Sequence, residues 1–197
     1  ADCIIVHHPN GFWKNEDRIL VGKFGERMRR LMKHGISLYG FHLPLDGHPE
    51  IGNNALIAKA MGLEIVDGFM REGEKFVGWI GEWETPASIS EFIECADTAF
   101  HYGVQKKFLY GKDRIKRVAI CSGSGASGIE DAISRGCDAY ITGDIRESTV
   151  ITAEEAEFNL LACGHHRTEV FGVRALAEKI QSELQIPSVF VDIDNPI

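Results

Sequence analysis

The sequence predicts an α/β fold, and three observations predict it. Short apolar runs bounded by Gly and Pro alternate with amphipathic stretches of helical period. From residue 117 onward these settle into a βαβαβ rhythm, which implies largely parallel strand pairing. The composition, 44% hydrophobic and 25% charged over 197 residues, is that of a globular chain able to bury its own core. It excludes collagen-like, disordered and coiled-coil classes. No apolar run approaches the ~18 residues of a membrane span.

Cys3 to Val6 is a β-branched apolar run, read as a buried strand ended by Pro9 and Asn10-Gly11. Val21, Phe24, Met28, Leu31 and Met32 recur at helical spacing, predicting a helix from Val21 to His34 with Gly35 as its stop. Ile36 to Phe41 is the next strand. Asn53 and Asn54 are caps for a helix carrying Leu56, Ile57, Ala60 and Met61, stopped by Gly62. Glu64 to Val66 reads as a strand, and Phe76 to Trp83 as a hairpin or irregular strands. Thr85-Pro86 predicts a helix start, followed by the apolar face Ile89, Phe92, Ile93, Ala96 and Phe100.

Arg117 to Cys121 is a strand, and Ile129, Ala132 and Ile133 lie on a helix ending at Gly136. Asp138 to Thr142 is a strand, and Thr152 with Glu155 is a capping-box pattern on a short helix. Asn159 to Cys163 is a strand, and Val170, Val173, Leu176, Ala177, Ile180 and Leu184 form the last long helix. Pro187 to Ile193 is expected to close the fold as a strand. A soft boundary near 64–68 gives a first lobe of residues 1–66 and a second of 67–197. The chain opens at Ala1, without an initiator Met, inside a predicted strand. The expectation is that it is the C-terminal part of a longer chain.

The net charge is −8, a poor match to a general nucleic-acid binder. The one basic stretch, Lys106, Lys107, Lys112, Arg114, Lys116 and Arg117, reads as a solvated loop. The cysteines are Cys3, Cys95, Cys121, Cys137 and Cys163, an odd number without a CxxC pair. That usage points to a reducing, cytoplasmic setting.

Three predicted strands share one layout: His or Asp immediately beyond the C-terminal end. They lead to His7-His8, to His42 with Asp46, and to His165-His166 with Glu169. Ligands of open α/β sheets gather at that end of the strands. Each residue also has a plain structural reading, Asp46 as a turn residue and Glu169 as a carboxylate at a helix N-terminus. Two His-His pairs in the same situation favour a site. Imidazoles mixed with carboxylates suit Zn, Mn, Fe, Co or Ni better than Mg or Ca. Adjacent histidines point in different directions when extended, so His7 and His8 more easily serve two metals than one. The turn from Gly123 to Gly128 matches G-x-G-x-x-G, with Asp144 where a ribose-binding acid could sit. Alone this is a weak dinucleotide signal. Anion contact at the helix N-terminus or simple close packing are the other readings.

The blocks Ile4-Ile5-Val6-His7-His8, His42-Leu43-Pro44-Leu45-Asp46-Gly47-His48-Pro49-Glu50, Tyr140-Ile141-Thr142-Gly143-Asp144 and Gly164-His165-His166-Arg167-Thr168-Glu169 resemble the NIF-three-like family. The second block is similar to its compact bacterial branch, the YbgI type. Members often bear the name GTP cyclohydrolase 1 type 2 homologue. The resemblance implies two interlinked α/β lobes, a dinuclear site holding two divalent transition metal ions in the cleft, and a toroidal hexamer. It implies His7, His8, Asp46, His165 and Glu169 as metal ligands, Glu169 bridging. His8 and Asp46 would serve one ion, His7 and His165 the other. His42 and His48 fall near the site as candidate catalytic proton carriers, and His166 is not at a ligand position. Family members carry a further helix and strand before the His-His strand. The implied activity is hydrolysis of a nucleotide or related heterocycle. The alternatives are a non-catalytic metal-binding scaffold or interaction protein linked to the DNA damage response, and a dinucleotide-binding oxidoreductase.

Overall fold

The structure, a computed structural model, describes residues 1–9, 11, 12, 19–100, 102–193 and 195. The chain divides into two compact units, Ala1–His42 and Leu43–Ile197.

In the first unit, strand β1 (Cys3–Val6) and strand β2 (Ser37–Gly40) flank helix α1 (Gly22–Lys33) in sequence. The strands pair in parallel, from Cys3 opposite Ser37 to Val6 opposite Gly40. Phe24, Met28 and Leu31 are half-buried, as their spacing predicts, but Val21 and Met32 of the predicted face are exposed. The helix therefore offers a narrower apolar stripe than its sequence suggests. Gly40 needs to be glycine for a local reason. A Cβ there would lie 2.7 Å from the Pro9 ring. Pro9 thus packs directly on the end of β2, and the Phe41 amide extends the ladder to Val6.

The second unit is built on a six-stranded sheet. Its elements are α2 (Leu43–Asp46), α3 (Asn53–Ala60), β3 (Glu64–Glu72), β4 (Lys75–Ser88), α4 (Ile89–Ala99), β5 (Lys106–Leu109) and β6 (Arg114–Cys121). After a 3-10 turn (Gly125–Gly128) come α5 (Ile129–Ser134), β7 (Ala139–Thr142), α6 (Glu147–Glu155), β8 (Asn159–Ala162), α7 (His165–Thr168) and α8 (Val170–Leu184). The strand order is β3-β4-β6-β7-β8-β5. Only β6-β7 and β7-β8 are parallel in this sheet; β3-β4, β4-β6 and β5-β8 are antiparallel. The expectation of largely parallel pairing is corrected to a mixed sheet, because β3 and β4 form a long hairpin and β5 returns along the edge.

Strands β7 and β8 are wholly buried, which is why they read as continuous apolar runs. Alternation sends Ile141 and Leu161 into one core with Ile57, Met61, Phe92 and Ala96 from α3 and α4. It sends Tyr140 and Leu160 into the other, with Ile129, Ala132 and Ala153 from α5 and α6.

Four local expectations are corrected. Helix α4 starts at Ile89 and not at Pro86, because β4 runs on to Ser88 and Ser88 forms a capping box with Glu91. Pro86 sits where the β4-β6 register slips between Glu82 and Ala87, a place that needs no ladder donor. Gly52, and not Asn53 or Asn54, is the N-cap of α3. Thr152 lies inside α6, whose first turn is closed by Arg146 N–H donating to Thr149 Oγ1. Residues 187–193 form no strand among the described residues, and Val189, Val191 and Ile193 are exposed. The basic stretch is not a loop but lies mostly on β5 and β6, and it is largely paired: Lys107 with Asp97, Lys112 with Asp138, and Lys116 and Arg117 with Glu82. All five cysteines are free thiols; Cys121, Cys137 and Cys163 are buried, Cys95 is half-buried and Cys3 is exposed.

Candidate metal site

Each unit carries donors of its own. In the first, His7 and His8 follow β1 and His42 follows β2. The parallel register and the Pro9–Gly40 contact bring these two strand ends side by side. The rings pack as a trio. His7 and His8 are 4.7 Å apart between centroids, His7 and His42 5.1 Å, and His8 and His42 5.0 Å. One nitrogen from each lies within 4.8 Å of the others. His42, which sequence reasoning set beside the site as a proton carrier, is thus the third member of the imidazole cluster.

In the second unit, Asp46 and Glu169 are both buried. Asp46 Oδ1 accepts from Asn53 Nδ2 at 2.8 Å and from Ser122 Oγ at 3.0 Å. The two asparagines are themselves fully buried and anchored. Asn53 Oδ1 accepts from the Gly172 amide at 2.7 Å, and Asn54 Oδ1 from the Ser122 amide at 2.7 Å. Asn54 Nδ2 donates to the Val77 carbonyl at 2.7 Å. A buried amide in this position costs little only because its polar atoms find partners. Sequence reasoning missed these residues as holders of Asp46 by taking both asparagines for caps. The signal is a polar pair at the inner start of an otherwise apolar helix.

His165 and Glu169 are four residues apart and meet, His165 Nε2 lying 3.2 Å from Glu169 Oε2. His165 Nδ1 contacts Asp144 Oδ2 at 2.6 Å, and Ser124 Oγ donates to that same oxygen at 3.2 Å. The hydrogen bond to Glu169 outweighs the cost of burial and, with Asp144, pushes the His165 imidazole up to about 9. Two carboxylates around one imidazole favour positive charge there. Asp144 therefore orients His165; it is not placed here as a ribose acid.

The glycine-rich turn joins these two groups. Ser122 touches Asp46, and the next residue, Gly123, touches Glu169. Gly123 has φ +59, and a Cβ on it would fall 2.1 Å from Glu169 Oε1. Its amide donates to Thr168 Oγ1 at 2.9 Å. Cβ atoms on Gly125 and Gly128 would press on the Tyr140 hydroxyl. The three glycines of the motif are thus accounted for by close packing, the plain alternative to a dinucleotide loop.

His48 and His166 lie apart from these contacts. His48 Nδ1 accepts from the Glu50 and Ile51 amides, which places its own proton on Nε2. His166 Nε2 lies 3.5 Å from Asp192.

Donors that could hold a metal ion are present in each unit, His7, His8 and His42 in the first and Glu169 in the second. Imidazole with carboxylate fits a borderline transition ion and not an all-oxygen cation. The fold and these residues define a class: mixed α/β proteins with imidazole and carboxylate donors beyond strand C-terminal ends. The chain belongs to the Duf34/NIF3 (NGG1p interacting factor 3) family, whose model matches residues 1–196. It is 39% identical to a Yersinia pestis protein named GTP cyclohydrolase 1 type 2 homolog, over 100% of this chain and 77% of that one. A solved structure described as protein ybgI, of unknown function, superposes with a TM-score of 0.88 at 35% identity, covering 100% of this chain and 77% of that one. A crystal structure from Thermus thermophilus gives 0.80 at 28% identity, covering 100% and 76%. No helix among the described residues is long and apolar enough to cross a membrane.

Proposed function

We propose that the protein is a metal-dependent hydrolase of nucleotides or related heterocycles. In this reading His7, His8, Asp46, His165 and Glu169 hold two divalent transition metal ions. His8 and Asp46 serve one, His7 and His165 the other, and Glu169 both. The observation that carries the reading is the meeting of two buried carboxylates, Asp46 and Glu169, on the adjacent residues Ser122 and Gly123. Two buried carboxylates gathered on one turn favour a cation bound beside them. The clustered imidazoles of the first unit supply the complementary nitrogen donors. The name carried by the Yersinia pestis relative supports a nucleotide-like substrate.

When bound, such ions lower the pKa of a water and polarise a substrate oxygen. The chain's own residues supply the rest. Asp144 orients His165 through Nδ1, and Asn53 with Ser122 fixes the Asp46 carboxylate. His48, protonated on Nε2, and His42 are the candidates for passing a proton. A toroidal hexamer and a cytoplasmic setting complete the reading.

The test joins elemental analysis of the purified protein with turnover on a nucleotide panel including GTP, with and without chelator. About two metal ions per chain and chelator-sensitive turnover are expected. Wild-type protein without metal overturns the site. Metal-loaded protein inert on the whole panel removes the enzyme and leaves the metal-binding scaffold.

A further inference from the structure

The second unit also holds a cavity of about 260 Å³ whose wall carries two arginines, Arg167 and Arg174. His166, Tyr102, Phe171 and Asp192 line it with them. Arg167 follows His165 by two residues, so it turns away from the face on which His165 meets Glu169.

Two features set the arginines apart. None of the ion pairs among the described residues involves either of them. Each guanidinium instead lies over an aromatic ring, Arg167 over Tyr102 and Arg174 over Phe190, both 4.8 Å from the centroid. A ring holds the flat face of a guanidinium and leaves its N–H edge free to grip an acceptor. Moreover, Arg167 Nε is buried and meets no acceptor among the described residues. A buried donor in that state is the mark of a missing partner. The one acid on the wall among the described residues, Asp192, faces the His166 imidazole.

We propose that this cavity is an anion site that takes the phosphate group of a small ligand, with Arg167 and Arg174 as its donors. Guanidinium forks match phosphate oxygens in geometry and charge. The volume lies below the ~300–1,000 Å³ of whole-ligand pockets, so it suits a phosphate with a small attachment. That phosphate belongs either to a nucleotide or to free phosphate acting on its own.

Calorimetric titration of the full chain with inorganic phosphate, GMP and guanosine tests this. Chelator is kept present, so the outcome does not depend on bound metal. Phosphate and GMP are expected to bind and guanosine is not. Tighter binding of GMP identifies a nucleotide, and equal binding identifies phosphate alone; both support the site. The R167A/R174A double variant should weaken phosphate binding by about tenfold or more. Arg174 is exposed, so the single variant Arg174→Glu should fold normally by circular dichroism and show a comparable loss. Absence of phosphate binding by the wild type, equal affinity for guanosine and GMP, or unchanged affinity in Arg174→Glu overturns the proposal.

Discussion

The two units hold their candidate donors by different means. In the first, three imidazoles rest against one another beyond the ends of a two-stranded sheet. In the second, carboxylates sit within a buried scaffold of Asn53, Asn54, Ser122 and Thr168, tied into α3, β4 and α8. The scaffolded donors share their supports with the fold, so disturbing them should unfold the unit. The imidazoles pack on one another beyond the strand ends, so disturbing one should cost less stability than disturbing the scaffold and show chiefly in bound metal.

The sharpest way to break this contrast is Asn54→Leu. It leaves the Ser122 amide and the Val77 carbonyl without their buried partner. Two such losses should cost about 3 kcal/mol or more, read as a lower urea midpoint. A loss near zero would show that the scaffold does not carry the fold. Gly123→Ala comes next. A Cβ at φ +59, pressed on Glu169 and His165, should cost about 2 kcal/mol and reduce metal content in the same preparation.

Asp138 sharpens the point away from the site. Burial raises its pKa, but the Arg117 and Lys116 amides and the Lys112 ammonium prevail and hold the carboxyl below its usual range. A lowered carboxylate contributes stability above its unfolded pKa, about 4, and loses it as pH falls through the folded value. Asp138→Asn should therefore cost about 1–2 kcal/mol at pH 7, and the gap to wild type should narrow at pH 3. The smallest effect on stability is expected from His8→Ala, under about 1 kcal/mol by thermal melting, with a clear drop in bound metal. A large destabilisation there would make the imidazole trio a structural feature and erase the contrast.

These two styles also explain what the sequence could reveal. The strand-end histidines stood out because nothing in a packing pattern calls for them. Strands β7 and β8 were legible as continuous apolar runs because both their faces are buried, and helices α1 and α8 because burial on one face leaves a period. Asn53, Asn54, Ser122 and Thr168 were not, since their roles depend on partners up to 119 residues away along the chain. Pro86 misled because its fitness for a helix start is local, whereas the length of β4 is set by pairing with β6. Residues 187–193 have the composition of a strand, but a strand also requires a neighbour, which sequence alone does not supply. Asn10, expected to help end β1, lies outside the described residues.

The cysteines have a practical consequence. Burial pushes the Cys121 thiol up to about 12 and the Cys137 thiol to about 11, raises Cys163 further, and raises Cys95 as well. Thiols so rarely ionised are poor nucleophiles. Cys3, exposed at the start of β1, stands four positions before His7. The wild-type chain thus comes with its own attachment point for a fluorophore or spin label, on the very strand that leads into the imidazole trio.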